Sequence, residues 1–314
     1  MKIVRNIIVL WAIVMLQPGG LQAATVVDRA GRRIDVGMPF CRIISLYGAH
    51  TENLFALGLG EEIIGVGRNE NYPPEALTKP VFSYHDDAEK FMAAKPDLVL
   101  VRPLVDRVYL EFVKKLEQAG IAVVSLQPVG VADMVEYWRD LGRLTGREDA
   151  AEQMVRRFQQ AVAAVTARVA KIPPERRKRV YFEAIHEKMK TFSKSATAIF
   201  VLETAGGINV ASDADQMRQT NIAAYGKERI LARAGEIDVF LAQQGPMNPV
   251  SIETIQAEPG FSVIKAVRDN QIYLIDEMIV SRPGLRLIEG ILRIEGILYP
   301  ENAVSTAPVP DPSG

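Results

Sequence analysis

Three histidines, His50, His85 and His186, are the whole imidazole supply of this 314-residue sequence. His186-Glu187 begins like the helical zinc-protease pattern, but Lys190 stands where the second histidine is required. Gly58, Gly60, Gly65 and Gly67 match neither a dinucleotide fingerprint nor a phosphate loop, and there is no Gly-x-Ser-x-Gly elbow. No acid–base pair or activated nucleophile emerges, so the residues argue against an enzyme and against a catalytic cofactor. Imidazole and carboxylate suit transition metals, so coordination by His50, His85, His186 and Glu183 stays open, although no tight ligand spacing is visible. The single cysteine, Cys41, cannot form an internal disulfide and is expected to be a small buried hydrophobe at a strand start.

The elements that would position these groups begin with an export signal. Lys2 and Arg5 precede an apolar run from Ile7 to Leu16, Pro18-Gly19-Gly20 breaks it, and Leu21-Gln22-Ala23 supplies a small-residue cleavage site. The run is well short of the roughly 20 residues that span a bilayer. Residues 1–23 are therefore expected to be a cleaved signal peptide, which makes the mature protein periplasmic. Cys41 does not read as a lipidation site, so no membrane anchor is expected. With 37 basic and 38 acidic residues, there is no global basic field to hold nucleic acid.

Past the signal, Val26 to Ile34 reads as a hairpin turning at Ala30-Gly31. Strands are expected at Arg42–Leu46, Ile63–Val66, Leu98–Val101 and Ala122–Leu126, alternating with helices at His50–Leu57, Ala88–Ala94 and Tyr109–Ala119. Such alternation implies a parallel sheet covered on both faces. From Asp149 to Ile172 there is no Gly or Pro, and apolar residues recur in steps of three or four, giving one long amphipathic helix of about 35 Å that Pro173-Pro174 stops. Strand–helix alternation then resumes from Val180 to Leu298. The expected class is α/β, with two Rossmann-like lobes of parallel sheet at 24–148 and 173–302. One connecting helix at 149–172 joins them, and a Pro-rich disordered tail follows at 303–314.

Several ordered stretches carry a resemblance. Arg42-Ile43-Ile44-Ser45-Leu46 leads to Thr51-Glu52. Gly65-Val66-Gly67 leads to Tyr72-Pro73-Pro74-Glu75-Ala76. Lys95-Pro96-Asp97-Leu98-Val99, Ala205-Gly206-Gly207-Ile208-Asn209 and Ser281-Arg282-Pro283-Gly284 follow. In this order, with the long helix between, they resemble the periplasmic substrate-binding proteins of ferric siderophore, cobalamin and haem ABC importers, over nearly all of 25–301. The resemblance implies a ligand cleft between the lobes, modest closure on ligand, and delivery to permease transmembrane subunits.

Loops at the carboxyl ends of parallel strands line such a cleft. Position after strands therefore nominates Tyr47, His50, Tyr72, Tyr84, His85 and Arg102 from the first lobe, and Glu183, His186, Lys190, Gln243 and Arg282 from the second. Tyr84 also lies where cobalamin-binding relatives place an aromatic against the ligand. Burying an arginine without a partner is costly, so Arg102, directly after an apolar strand, is expected to face the cleft, and Arg282, which follows Ile272–Ile275, likewise. Arg102, Lys190 and Arg282 would favour an anionic ligand, since arginine offers a bidentate fork to carboxylates. Tyr47, Tyr72, Tyr84 and Phe192 would offer flat faces to a chelate. The mix suits an anionic iron chelate of the ferric siderophore type. A corrinoid competes closely, haem belongs to the same transporter class, and direct metal binding, with His50 and His186 as ligands, ranks lower. By the resemblance, Glu89 and Glu228 would pair with permease arginines. A monomer is expected. Readings of other classes are a sensor subunit that presents bound ligand to a receptor, and a chelate-processing enzyme.

Overall fold

The computed structural model describes residues 24–302 except 218 and 219. The readings of 1–23 as a signal and 303–314 as a disordered tail lie outside the described residues. Strands β1 (Ala24–Val27) and β2 (Arg33–Val36) pair antiparallel across a turn in which Gly31 takes the left-handed φ of 81°. The first lobe is built on β3 (Ile43–Ser45), β4 (Ile63–Val66), β5 (Leu98–Val101) and β6 (Ala122–Ser125), all parallel, in the order β4-β3-β5-β6. The unbroken Leu98-Val99-Leu100-Val101 run is fully buried, as a central parallel strand requires. The Asp97 carboxylate secures the start of this sheet, accepting the backbone N–H groups of Cys41 and Arg42 at 2.9 Å each. Cys41 itself is exposed, because its neighbours face solvent and its thiol donates to Asp97 at 3.4 Å; it is not the buried hydrophobe its type suggests.

The second lobe contains β7 (Arg179–Ile185), β8 (Lys190–Phe192), β9 (Ile208–Asn209), β10 (Asp215–Gln216), β11 (Ile222–Ala224), β12 (Val239–Gln244) and β13 (Ile272–Asp276). Its sheet runs β10-β11-β8-β7-β12-β13, with β9 beside the start of β7. The pairs β7–β12, β12–β13 and β7–β9 are parallel, as the alternation implies. The pairs β7–β8, β8–β11 and β10–β11 are antiparallel and extend the sheet on one side.

The connecting helix covers Glu148–Val169, about 33 Å at 1.5 Å per residue. A helix at Val131–Thr145, for which the sequence reading held no expectation, packs against it and ends at Gly146 with a φ of 65°. One continuous apolar core runs from Ile43, Leu54 and Leu98 through Trp138, Phe158 and Val165 to Val180, Phe182 and Leu202. The lobes therefore share their packing through the helical connection, and protein interiors resist such deformation. At its far end, Arg168 holds Glu295 of the final helix Leu287–Leu298, with Nε donating at 2.8 Å. Gly206, with φ 88°, is tight against Val169 and Tyr299, where a Cβ would sit 3.0 Å from each.

Candidate functional site

A cleft of about 1480 Å³ opens between the two sheets, and its walls come from the carboxyl ends of strands in both lobes. That exceeds the 300–1,000 Å³ usual for a drug-sized ligand. Seven of the nominated residues line it: Tyr47, Tyr84, His85 and Arg102 from the first lobe, and Lys190, Gln243 and Arg282 from the second.

Arg102 directly follows β5 and caps the helix Pro103–Val108, which Pro103 begins. Its guanidinium lies 4.7 Å from the centre of the Tyr47 ring. Among the described residues it makes no ion pair. Neither does Arg107, on the same helix, nor Lys190, on β8 in the opposite wall. Sequence reading missed Arg107; the signal was present, since a helix starting at Pro103 places Arg107 one turn beyond its first residue. Arg29 and Arg68 also line the cleft but are held by Asp133 and Asp86, each at 3.0 Å. The cleft's acids are Glu70 and Glu277, both pushed up mainly by burial, Glu70 to about 7. The cleft thus has more unneutralised positive than negative charge, and low-dielectric walls focus such a field.

Aromatic faces accompany the charge. Tyr84 packs tilted against His85 at 4.5 Å and against Tyr109 at 4.7 Å, forming a cluster at the cleft wall. Phe192 borders the opposite wall, but its ring is buried in the core against Phe182, at 3% exposure. Gln243 lines the cleft with its amide already used: it donates to the carbonyl of Ala184 at 2.9 Å and accepts from the Ser281 hydroxyl at 3.0 Å.

Four nominated residues lie elsewhere. His50 is fully buried, and its ring spans Tyr137 Oη at 2.7 Å and the Val101 carbonyl at 3.2 Å. Nε2–H donates to the carbonyl and Nδ1 accepts from Tyr137. Burial lowers the ring to about 4, so it is neutral, and neither nitrogen is left for a ligand or metal. Tyr72 is stacked under Arg286, 4.4 Å from ring centre to guanidinium carbon, outside the cleft. Glu183 is fully buried in β7 and accepts from His186 Nδ1 at 3.0 Å. His186 turns into the second lobe rather than the cleft because β7 and β8 form a hairpin around it. Its hydrogen bond to Glu183 raises its ring's affinity for protons. His50, His85, His186 and Glu183 do not converge, and among the described residues no group of three His, Cys, Asp or Glu could hold a metal.

Arg282 differs from Arg102. It donates to Glu52 Oε1 at 2.7 Å, to Asn71 Oδ1 at 3.1 Å and to the Asn69 carbonyl at 3.3 Å, all in the first lobe. Glu52 is pushed up by burial and pulled down by Arg282 and Arg286. Glu89 and Glu228 sit exposed in the first turns of the helices Ala88–Ala94 and Lys227–Ala232, where the helix dipole favours a carboxylate.

A family model described as periplasmic binding protein matches residues 43–278. An uncharacterized ABC transporter substrate-binding lipoprotein of Bacillus subtilis is 26% identical, covering 88% of this chain and 86% of its own length. A vitamin B12-binding protein of Vibrio cholerae is 24% identical, covering 82% of this chain and 88% of its own. A crystal structure of a possible iron-binding periplasmic solute-binding protein from Staphylococcus epidermidis superposes with a TM-score of 0.72 at 28% identity, over 83% of this chain and all of the other. That family is one of binding proteins for transporters, not of enzymes. The two lobes, the single long helix and the matched span agree: the chain belongs to the periplasmic binding proteins that serve ABC importers.

Proposed function

We propose that this protein captures an anionic iron chelate of the ferric siderophore type in the interlobe cleft and delivers it to an ABC permease. The observation that carries this reading is the convergence of Arg102, Arg107 and Lys190, without acidic partners among the described residues, on a cleft larger than a drug-sized ligand needs. Guanidinium groups bind carboxylate and other planar oxyanions in bidentate fashion, and Tyr47 and Tyr84 provide flat contact for the chelate's organic shell. A corrinoid is the second reading, favoured by the likeness to the vitamin B12-binding relative and by Tyr84 at the cleft wall. Haem is a third, on membership of the same transporter class.

Glu89 and Glu228 are the docking residues in this reading: each is exposed, and they stand on different lobes. The double change Glu89→Arg and Glu228→Arg should abolish uptake and leave chelate affinity unchanged. The mature protein would be a periplasmic monomer released by cleavage after residue 23, without the lipid anchor that the Bacillus subtilis relative's name describes. Calorimetric titration with a ferric tris-catecholate, ferric citrate, cyanocobalamin and haemin tests the ligand reading. Saturable binding of a ferric chelate supports it; binding of cyanocobalamin or haemin alone would replace it.

A further inference from the structure

Arg282 reaches out of the second lobe and ends inside the first. It follows the short helix Glu277–Ser281, and its guanidinium lies over the start of the helix Gly48–Ala56. A Cβ on Gly48 would stand 2.6 Å from Nη1, 2.7 Å from Cζ and 2.9 Å from Nη2 of Arg282. No Cβ fits at that range, so the absence of a side chain at position 48 makes the seat that the guanidinium fills. Glu52, one turn along the same helix, accepts from Nη1 at 2.7 Å; Asn71 Oδ1 accepts from the same Nη1 and the Asn69 carbonyl from Nη2. Arg286 adds a second approach to Glu52 at 3.5 Å and stacks on Tyr72. Beside it, Asn53 Nδ2 donates to the Pro283 carbonyl at 2.9 Å, a backbone contact from lobe to lobe. The Arg282 and Glu52 side chains are only 11% and 5% exposed. The seam lies at one edge of the cleft, which Arg282, Gly48 and Asn69 also line.

We infer that Arg282 is a positioning residue: seated over Gly48 and clamped by Glu52, it sets the separation of the lobes, and so the width of the cleft, rather than binding the ligand's charge. A guanidinium with three of its five donors engaged, and its charge neutralised in a desolvated pair, has less to offer an incoming anion than a free one, and withdrawing it would leave Glu52 buried beside Arg286 alone. The clamp stands whichever ligand is captured, but its effect on binding rests on the reading of the cleft as the ligand site.

Lobe separation can be read without ligand. With Cys41→Ser removing the native thiol, spin labels at Lys115→Cys and Ala257→Cys, both exposed and on different lobes, report an interlobe distance by pulsed electron resonance. Gly48→Ala is the sharpest variant, since it removes no charge, suits a helix better than glycine, and forces the guanidinium off its present seat. The expected result is a shift or broadening beyond about 2 Å, the scale of a genuine rearrangement, in both Gly48→Ala and Arg282→Ala. On the Arg282→Ala background, Gly48→Ala should add nothing. An unchanged distance in both single variants overturns the inference, as does a further shift from Gly48→Ala when Arg282 is already gone. Titration of the same proteins with a ferric tris-catecholate separates the two readings. Lost affinity at an unchanged distance would make Arg282 a ligand contact and overturn the clamp, while a distance shift without binding of any chelate would support the clamp and sink the ligand reading.

Discussion

Arg102 and Arg282 face one cleft from opposite lobes, the first directly after the strand β5 and the second after the short helix that follows β13, yet they stand in opposite electrostatic settings. The wall around Arg102 supplies an aromatic ring and no acid; the seam around Arg282 supplies Glu52, Asn71 and a backbone carbonyl. The difference is set by what the other lobe presents, not by the arginine's own neighbours in sequence. A partnered guanidinium serves the architecture, and an unpartnered one, kept part-exposed in a large cleft, is available to a ligand. The same contrast holds for the histidines. His50 is consumed between Tyr137 and Val101, whereas His85 stays exposed with only a 3.5 Å approach to Tyr109.

The comparison can be broken most forcefully at the seam. Removing one partner of a buried ion pair costs about 3–5 kcal/mol, and Arg286 would retain part of the hold on Glu52, so Arg282→Ala should cost about 2–4 kcal/mol of stability in urea denaturation. Next comes the buried helix face beside it. His50 has a folded value lowered to about 4 against an ordinary value near 6.5. Its neutral form is therefore the one the fold accepts, and the unfolded chain binds more protons between those values. Stability from this group is fully present above about pH 6.5 and is lost as pH falls toward 4, by on the order of 3 kcal/mol. Replacing His50 with Gln should flatten that acid limb; an equally steep limb would contradict the assignment.

At the wall the expected effects fall on binding instead. Arg102→Ala should leave stability within about 0.5 kcal/mol and weaken a ferric tris-catecholate about 10- to 100-fold, the worth of one charge-assisted contact. Glu70, between wall and seam, gives a smaller signal. Burial raises its carboxyl to about 7, so the folded protein holds a proton that the unfolded chain releases near 4.5. Stability therefore falls as pH rises from about 4.5 to 7. Discounted for its partial exposure, Glu70→Gln should gain about 1 kcal/mol above pH 7 and nothing below pH 4.5. Smallest are Arg107→Gln and Lys190→Gln, expected to lower affinity a few-fold and to flatten its salt dependence, as rim charges do.

Much of this architecture was written in local pattern. The Leu98–Val101 run, the Ala30-Gly31 turn and the apolar steps from Ala150 to Val169 each name their element, because burial and periodicity act over a few residues. The helix Val131–Thr145 has the same periodicity, at Met134, Trp138, Leu141 and Thr145, and was legible although unread. The β7–β8 hairpin was not. It turns at His186–Met189 without Gly or Asn, using a positive φ at Met189, so nothing local marks the reversal that buries His186. Cleft-lining positions were legible where position after a strand suffices, as for Arg102. They were illegible where a distant partner decides, as with His50 and Tyr137, 87 residues apart, or Arg282 and Glu52, 230 apart.

The most direct measurement is calorimetric titration of the protein and its Arg102→Ala variant with a ferric tris-catecholate at matched ionic strength. Saturable one-to-one binding by the protein is expected, with affinity at least about tenfold weaker in the variant and both proteins unfolding at the same urea concentration. Equal affinity in the two, or no binding by either, would contradict the ligand reading.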